Sequence, residues 1–101
     1  MIEIKVKKAK NLKEKIIGLL GKKTPEPLLI KTRFGIHTFG LKFPIDVVVL
    51  DKENKVVKLK ENLKPFRIFL WNPNYNVVLE LPKGSIKEKE ITKNSQIQLN
   101  K

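Results

Sequence analysis

The amino-acid sequence predicts a mainly β fold, a small antiparallel sandwich or barrel-like domain with one short helix near the N-terminus. Short apolar segments recur about every ten residues, and the turn-forming stretches "DKEN", "NPNY" and "PKGS" separate them. The "DKEN" turn predicts a hairpin between the two segments that flank it. The predicted strands are Ile2–Val6, Leu28–Thr32, Ile36–Phe43, Ile45–Asp51, Lys55–Lys60, Phe66–Trp71, Asn76–Leu81 and Gln96–Leu99.

The segment "NLKEKIIGLLG" predicts the short helix. Asn11 is a suitable N-cap, and Glu14 follows at the spacing of a capping box. The apolar residues recur with helical spacing and form one face. This face consists of Leu12, Ile16, Leu19 and Leu20. Gly21 favours the end of the helix, and the prolines of "TPEP" prevent its continuation.

Size and composition predict a single domain, residues 1–101, in which 41% of the residues are hydrophobic and 32% are charged. The sequence contains no cysteine, which excludes disulfides, thiolate catalysis and cysteine-ligated metal sites. His37 is the only histidine, and this excludes a site built from several histidines. The sequence therefore predicts neither a metal site nor a cofactor.

The formal net charge of the chain is +12, and every basic residue except Arg33 and Arg67 is a lysine. Such a balance favours anionic partners, either a small anionic ligand or nucleic acid. A lysine-rich sequence without cysteine is also typical of heat-adapted proteins, so a compositional origin of the charge is the alternative. No apolar run is long enough to span a bilayer, and the first residues lack the apolar block of a signal peptide. These features predict a cytoplasmic protein.

The segment "GIHTFGLKFPIDVVVLD" contains the two most conspicuous polar residues, His37 and Asp46. Alternation along the predicted strand Ile36–Phe43 places His37 on an apolar face, which favours a hydrogen-bonded core histidine and leaves a catalytic role as the alternative. Asp46 interrupts an apolar run, where a carboxylate needs hydrogen bonds or a charged partner. Either Asp46 ties down the backbone after the turn at Pro44, or it lies at the mouth of a pocket with His37 or an arginine.

Glu80 and Arg67 also interrupt apolar segments, "VVLEL" and "PFRIFLW". An ion pair between Arg67 and Glu80 would satisfy both groups, and so would a pair between Arg33 and Asp46. Asp46 and Glu80 are also the two carboxylates from which a sugar-hydrolysing site would have to be built. The sequence does not define the distance between them.

Four blocks of the sequence resemble, in order and spacing, a family of small prokaryotic proteins known as domain of unknown function 192. They are "IIGLLGKK", "IHTFGLKFPIDVVVLDKENKVV", "NLKPFRI" and "VVLELPKGSI", and the similarity extends from about Leu12 to Leu99. The resemblance implies a compact, mainly β domain with a helix near its start, and it implies no established activity. The residues at the family's motif positions are His37, Phe43, Pro44, Asp46, Leu79, Glu80 and Gly84.

Two positions depart from the pattern of this family. Asn94 and Ser95 stand where the family usually has a Gly-Asp turn, and both pairs of residues suit a tight turn. If the aspartate of that turn belonged to a site, this protein would lack it. Leu41 stands where methionine is common, which is a mild exchange for a core residue.

The sequence leaves three functions open. The first is a non-enzymatic small-ligand-binding or accessory domain. The second is a nucleic-acid-binding module in which lysines contact phosphates and Trp71, Phe69 and Tyr75 stack on bases. The third is an enzyme in which His37 acts as an acid or base and Asp46 orients it. The candidate binding residues are Arg33, His37, Lys42, Asp46, Arg67, Trp71 and Glu80.

Overall fold

The strands form three sheets in the computed structural model, which describes residues 1–8, 27–39 and 41–100. The elements are β1 (Ile2–Lys5), β2 (Lys7–Lys8), β3 (Leu28–Lys31), β4 (Gly35–His37), β5 (Ile45–Leu50), β6 (Val56–Leu63), β7 (Ile68–Leu70), β8 (Val77–Pro82), α1 (Ser85–Glu88) and β9 (Ile97–Asn100). The prediction of a mainly β fold is confirmed.

The helix of the described residues does not lie where the sequence predicted one. The predicted helix, from Asn11 to Gly21, lies outside the described residues. The helix that the structure describes is α1, in the C-terminal half of the chain. Its four residues are too few to show a hydrophobic period, so the sequence pattern did not reveal it. Within the described residues, no helix has the length and hydropathy to span a bilayer, and the cytoplasmic location stays a prediction.

A five-stranded sheet in the order β2-β3-β8-β5-β6 forms the centre of the fold. Its strand β5 pairs antiparallel with both β8 and β6. All six residues of β5 are buried, because other elements cover both faces of the sheet. An uninterrupted apolar run such as "VVVL" is typical of a strand in this position. The strand predicted at Ile45–Asp51 is confirmed as β5.

Two hydrophobic cores lie on opposite faces of the central sheet. Alternation along β5 sends Val48 and Leu50 into one core, and Ile45, Val47 and Val49 into the other. The first core, the β1–β9 core, is closed by the parallel pair of β1 and β9 and by residues of α1 and the following turn. The second core, the β4–β7 core, is closed by the antiparallel pair of β4 and β7, the β4–β7 ribbon.

The strand pairing is only partly antiparallel, and the described strands do not close into a barrel. The pairs β1–β9 and β2–β3 are parallel, whereas the pairs within β3, β8, β5 and β6 are antiparallel. In the described residues, β2 and β6 are the two edges of the central sheet. The sequence analysis predicted antiparallel pairing because neighbouring segments are joined by short turns. This argument does not apply to β1 and β9, which come from the two ends of the chain, or to β2 and β3, which a long connection separates.

The "DKEN" hairpin between β5 and β6 is confirmed. One oxygen of the Asp51 carboxylate accepts the N–H groups of Glu53 (2.8 Å) and Lys55 (2.9 Å). Asn54 adopts a left-handed conformation with φ of 63°, which asparagine tolerates well. This turn determines how β6 begins its pairing with β5.

Three predicted strands have the wrong length. The predicted strand Ile36–Phe43 is observed only as β4, which begins at Gly35 and ends at His37. The predicted strand Lys55–Lys60 is observed as β6, which continues to Leu63. The seventh strand is shorter than predicted, since β7 contains only Ile68–Leu70. In each case the difference depends on contacts between distant parts of the chain, which alternation does not encode.

Gly35 allows β4 to approach β7 closely, and this leads to the first prediction. A Cβ atom on Gly35 would lie 2.5 Å from the carbonyl oxygen of Phe69 and 2.6 Å from Cδ2 of Leu70. We expect Gly35→Ala to lower the free energy of unfolding by about 1–3 kcal/mol, because the ribbon must shift to relieve this overlap. Urea denaturation of the two proteins measures the difference.

Gly84→Ala is the comparison for this measurement. Gly84 has φ of 92° but open space around its Cβ position, so we expect only the conformational penalty, about 1 kcal/mol. If Gly35→Ala destabilised the protein no more than Gly84→Ala, the close approach of β4 and β7 would be wrong.

Candidate functional site

His37 lies on the outer side of the β4–β7 ribbon. Ile36 pairs with Phe69 and both are buried, whereas His37 pairs with Ile68 and both are exposed. Because successive residues of a strand face opposite sides, the inner side of the ribbon covers the central sheet and the outer side faces solvent. The prediction of a core histidine is therefore wrong.

The early end of β4 explains this error. The alternation argument assumed one strand from Ile36 to Phe43, but the chain turns at Thr38, whose carbonyl accepts the N–H of Leu41 (3.2 Å). After the turn Leu41 is buried in the β4–β7 core, whereas Phe39 and His37 remain exposed. The turn thus separates residues that an uninterrupted strand would have placed on one face.

The outer side of the ribbon and its adjoining turns carry a cluster of exposed side chains, the aromatic face. It consists of His37, Phe39, Phe66, Ile68 and Leu70. The rings of His37 and Phe39 are stacked with their centroids 5.3 Å apart, and the rings of Phe39 and Phe66 lie 6.3 Å apart. The four apolar members are between 48% and 68% exposed. A cluster of large apolar side chains in contact with water is typical of a binding surface.

Thr38 holds the turns that carry Phe39 and Phe66. Its hydroxyl donates to the carbonyl of Lys64 (2.6 Å) and accepts the N–H of Arg67 (2.9 Å). Its backbone N–H donates to the carbonyl of Arg67 (2.9 Å), and its carbonyl accepts the N–H of Phe66 (3.2 Å). Thr38 is fully buried, so water does not compete for these bonds. Sequence reasoning missed Thr38, because one threonine in an apolar stretch leaves no periodic signal.

The segments that build the aromatic face carry positive charge and no negative charge. No aspartate or glutamate occurs in residues 27–45 or 62–79. The cations of these two segments are Lys31, Arg33, Lys42, Lys64 and Arg67, and all five are exposed. Both arginines of the chain are therefore in these segments, together with the predicted binding residue Lys42. An apolar surface built from segments that contain cations and no acidic residue favours an anionic ligand.

Two exposed phenylalanines have a strained backbone. Phe34 has φ of 72° and Phe66 has φ of 62°, in the left-handed region that a bulky side chain disfavours. Of the other four non-glycine residues described with positive φ, three are asparagines, the residue type best suited to it. Strain of this kind that packing does not require is found at functional surfaces. The observation therefore supports a role for these rings outside the fold.

Trp71 and Phe69 are core residues, so they do not offer stacking faces to a ligand. Trp71 is 7% exposed, its indole N–H donates to the carbonyl of Tyr75 (2.8 Å), and its ring lies 5.9 Å from that of Phe69. The prediction that these rings stack on bases is wrong. The sequence "FRIFLW" is apolar on both faces, so alternation cannot decide which residues point outwards. The packing of Phe69 against the central sheet determines which residues point outwards, and it leaves Ile68 exposed.

Asp46 is fully buried and its carboxylate binds three backbone N–H groups. One oxygen accepts the N–H of Asn62 (2.9 Å), and the other accepts those of Gly84 (3.1 Å) and Ile86 (2.9 Å). The last two belong to the start of α1, where N–H groups have no partner within a helix. Asp46 therefore ties together β5, β6 and α1. Its partners lie much later in the chain than the turn at Pro44, where the sequence analysis expected them.

A bulge in β6 directs one of these N–H groups at Asp46. Ile45 pairs with Leu63 and Val47 with Lys60, so two residues of β6 stand opposite Asp46. One of them, Asn62, has φ of 53°. The predicted ion pair between Arg33 and Asp46 is wrong, because Arg33 is exposed and backbone groups bind the carboxylate.

Glu80 is buried on the other face of the central sheet. It stands opposite Val47 in β5, so its side chain points to the β4–β7 core, whereas Asp46 points to the β1–β9 core. The two carboxylates therefore cannot flank one sugar bond. Arg67 is exposed in the turn before β7, where its guanidinium contacts the carbonyl of Phe66 (3.4 Å), and the predicted pair with Glu80 is not formed.

The structure does not bring His37 and Asp46 together. His37 lies on the outer side of the ribbon, and Asp46 faces the β1–β9 core behind the central sheet. Among the described residues, no three histidine or acidic side chains form a group that could hold a metal ion. Of the predicted binding residues, Arg33, His37, Lys42 and Arg67 share the segments of the aromatic face, whereas Asp46, Trp71 and Glu80 are buried.

Asp46 leads to a prediction about stability. We expect Asp46→Ala to lower the free energy of unfolding by about 3 kcal/mol or more, because three backbone N–H groups lose their acceptor in poorly solvated positions. Asp51→Ala also removes an acceptor of two N–H groups, but in an exposed turn, so we expect about 1 kcal/mol. Urea denaturation measures both. Equal losses would show that Asp46 is no more important than a surface turn residue.

For Phe66 we expect, in contrast to Asp46, that replacement leaves the stability of the protein almost unchanged. We expect Phe66→Asn to leave the free energy of unfolding within about 0.5 kcal/mol or to raise it, because asparagine relieves the left-handed strain. The matched control is Phe69→Asn on the inner side of the ribbon, which we expect to cost about 3 kcal/mol or more. Thermal unfolding of both variants tests this pair. A loss of more than about 1 kcal/mol in Phe66→Asn would mean that this ring serves the fold.

Two solved structures share this fold. A candidate transcription regulator from Sinorhizobium meliloti 1021 superposes with a TM-score of 0.78 at 17% identity, covering 90% of this chain and 78% of that one. A protein of unknown function from Novosphingobium aromaticivorans DSM 12444 superposes with a TM-score of 0.75 at 15% identity, covering 90% and 71%. At these identities the likeness establishes the fold alone.

The sequence itself identifies the family. No curated protein shows significant sequence similarity to this chain. The model of the DUF192 family, described as "Uncharacterized ACR", matches residues 2–99. This match covers nearly the whole chain and agrees with the four sequence blocks that resemble the family. The chain belongs to the DUF192 family of uncharacterised proteins.

Proposed function

We propose that this protein is a non-enzymatic binding module whose aromatic face binds an anionic ligand with a planar part. The observation that carries the proposal is the ribbon itself, whose inner side is packed in the core while its outer side exposes four large apolar side chains beside His37. Folding accounts for the buried side. It does not account for the exposed side, because apolar side chains in contact with water lower solubility.

The charge around the aromatic face supports an anionic ligand. Arg33, Lys42 and Arg67 are exposed in segments that lack any acidic residue. Arginine binds carboxylates and phosphates through two parallel hydrogen bonds and also stacks on planar groups. A ligand that combines a ring with a phosphate or carboxylate would use both properties of the surface.

An enzyme is the less supported alternative. General acid–base catalysis needs an oriented donor or acceptor, and the sequence offered His37 oriented by Asp46 for this role. The two residues lie on different sides of the molecule, and the contact described for the His37 ring is with Phe39. These positions support binding without turnover.

Binding is tested by NMR titration with AMP and with anilinonaphthalene sulfonate, two anions with aromatic rings. We expect saturable shifts confined to the signals of the ribbon, including the His37 imidazole and the Phe39 and Phe66 rings, because these rings stack on the ligand. Adenosine, which lacks the phosphate, and ribose phosphate, which lacks the base, should each bind more weakly. Phosphorus spectra recorded over time report whether AMP is consumed.

Two variants control the titration. Phe66→Asn should weaken the binding of both ligands while preserving the fold. Lys93→Gln removes an exposed charge from the turn before β9 and should leave the binding of both ligands unchanged. Shifts that map outside the ribbon, or an absence of saturable shifts with both anions, would overturn the proposal. Consumption of AMP that is lost in His37→Ala would favour the enzyme instead.

A further inference from the structure

The arrangement of rings and arginines narrows the class of ligand. We infer that the aromatic face binds single-stranded nucleic acid, with bases stacked on Phe39 and Phe66 and with phosphates contacted by Arg33 and Arg67. The inference rests on the proposed function, because it needs the same surface to bind anions that carry a planar ring. It adds that the physiological ligand is a polymer rather than a free nucleotide.

The number of rings favours a polymer. The His37 and Phe39 rings stack on each other with centroids 5.3 Å apart, and the tilted Phe66 ring lies 6.3 Å from Phe39, so the face offers three neighbouring rings. A free nucleotide has one base and uses one stacking position, whereas successive bases of a strand use several. Aromatic platforms of this kind bind strands with little dependence on sequence, because every base has a π-face.

Exposed rings favour a single strand over a duplex. In a duplex each base is covered on both faces by its neighbours, so a side chain reaches a face only where bases are unstacked. Phe66 is 68% exposed and Phe39 is 48% exposed, and both rings project from turns at the same end of the ribbon. The described part of the aromatic face has neither a long helix nor a long ribbon to enter a major groove.

The positions of the two arginines beside exposed phenylalanines favour an anionic strand with bases and phosphates in alternation. The only two arginines of the chain directly precede Phe34 and follow Phe66, the two phenylalanines with positive φ. Arg67 is joined through its backbone to Thr38, the residue that also holds the Phe66 turn. One buried threonine thus holds the backbone of both Phe66 and Arg67. Binding to an anionic membrane would require neither neighbouring rings nor an arginine directly beside an exposed phenylalanine.

These residues replace those that the sequence indicated for stacking. The sequence pointed to Trp71, Phe69 and Tyr75 within "KPFRIFLWNPNY". Trp71 and Phe69 are buried, and Tyr75 is partly buried against the same core. The exposed ring of that segment is Phe66, and its partner Phe39 comes from a segment 27 residues earlier in the chain. Only the pairing of β4 with β7 brings the two rings together.

The test is fluorescence anisotropy with a labelled single-stranded RNA of about 12 nucleotides, measured over a range of salt concentrations. We expect an affinity at least about tenfold tighter than that for AMP. A plot of log affinity against log salt should have a slope of about −1.4 or steeper, because Arg33 and Arg67 each contribute about −0.7. Phe66→Asn should weaken binding about 5- to 150-fold with little change of slope, because it removes stacking. Arg67→Gln should reduce the slope by about 0.7, because it removes one phosphate contact.

The controls separate this inference from the proposed function. Lys93→Gln carries the same charge change as Arg67→Gln away from the ribbon, and should leave affinity and slope nearly unchanged. Thermal unfolding confirms that each variant is folded before binding is compared. If AMP binds to the ribbon but the RNA binds no tighter, the inference fails and the proposed function stands. If the RNA, AMP and anilinonaphthalene sulfonate all fail to bind there, both fail.

Three further outcomes would overturn the inference. A duplex of the same length that bound as tightly as the single strand, with no effect of Phe66→Asn, would indicate general attraction to the lysine surface. Vesicles containing phosphatidylserine that bound tightly, with a loss in Phe66→Asn that the RNA did not show, would assign the face to a membrane. Polyglutamate that displaced the RNA completely would assign it to an acidic peptide.

Discussion

The hydrogen bonds of the Asp46 carboxylate are the interaction on which the rest of the structure depends. Asp46 lies in the most buried strand and binds N–H groups of β6 and of the start of α1. A buried carboxylate without such partners would strongly oppose folding, whereas with three N–H donors it joins segments that hydrophobic packing alone would position loosely. The bulge at Asn62 and the left-handed Gly84 both have conformations that direct an N–H group at this one side chain.

The two faces of the central sheet have different roles. On one face, the terminal strands β1 and β9, together with α1, close a core that contains the Asp46 network. On the other face, a ribbon with three residues in each strand closes the β4–β7 core with its inner side only. The inner side of the ribbon packs in the β4–β7 core, and Thr38 fixes one end of the ribbon. We therefore expect the outer side to be well ordered although it is exposed. A rigid and exposed surface suits binding, since little entropy is lost when a ligand orders it.

Sequence reasoning succeeded where one residue or one short segment carried the signal. The apolar run of β5, the Asp51 turn and the need of Asp46 for hydrogen bonds are all local properties. It failed at "IHTFGLKF" and "FRIFLW", where both alternating sets of residues are apolar or of mixed polarity. Alternation states that neighbours face opposite sides, but it does not state which side meets the core. The fold class and the hydrogen bonding of Asp46 could be predicted from the sequence, whereas the aromatic face could not.

Composition and patterns along the chain were enough to identify the family, the mainly β class, most strand positions and the absence of cysteine chemistry. Only the tertiary structure decided that His37, Phe39 and Phe66 are exposed together while Trp71 and Phe69 are buried. The physical reason is that burial is decided by contacts between distant segments. The pairing of β4 with β7 and the early turn at Thr38 are such contacts, and they select the side of each segment that reaches water.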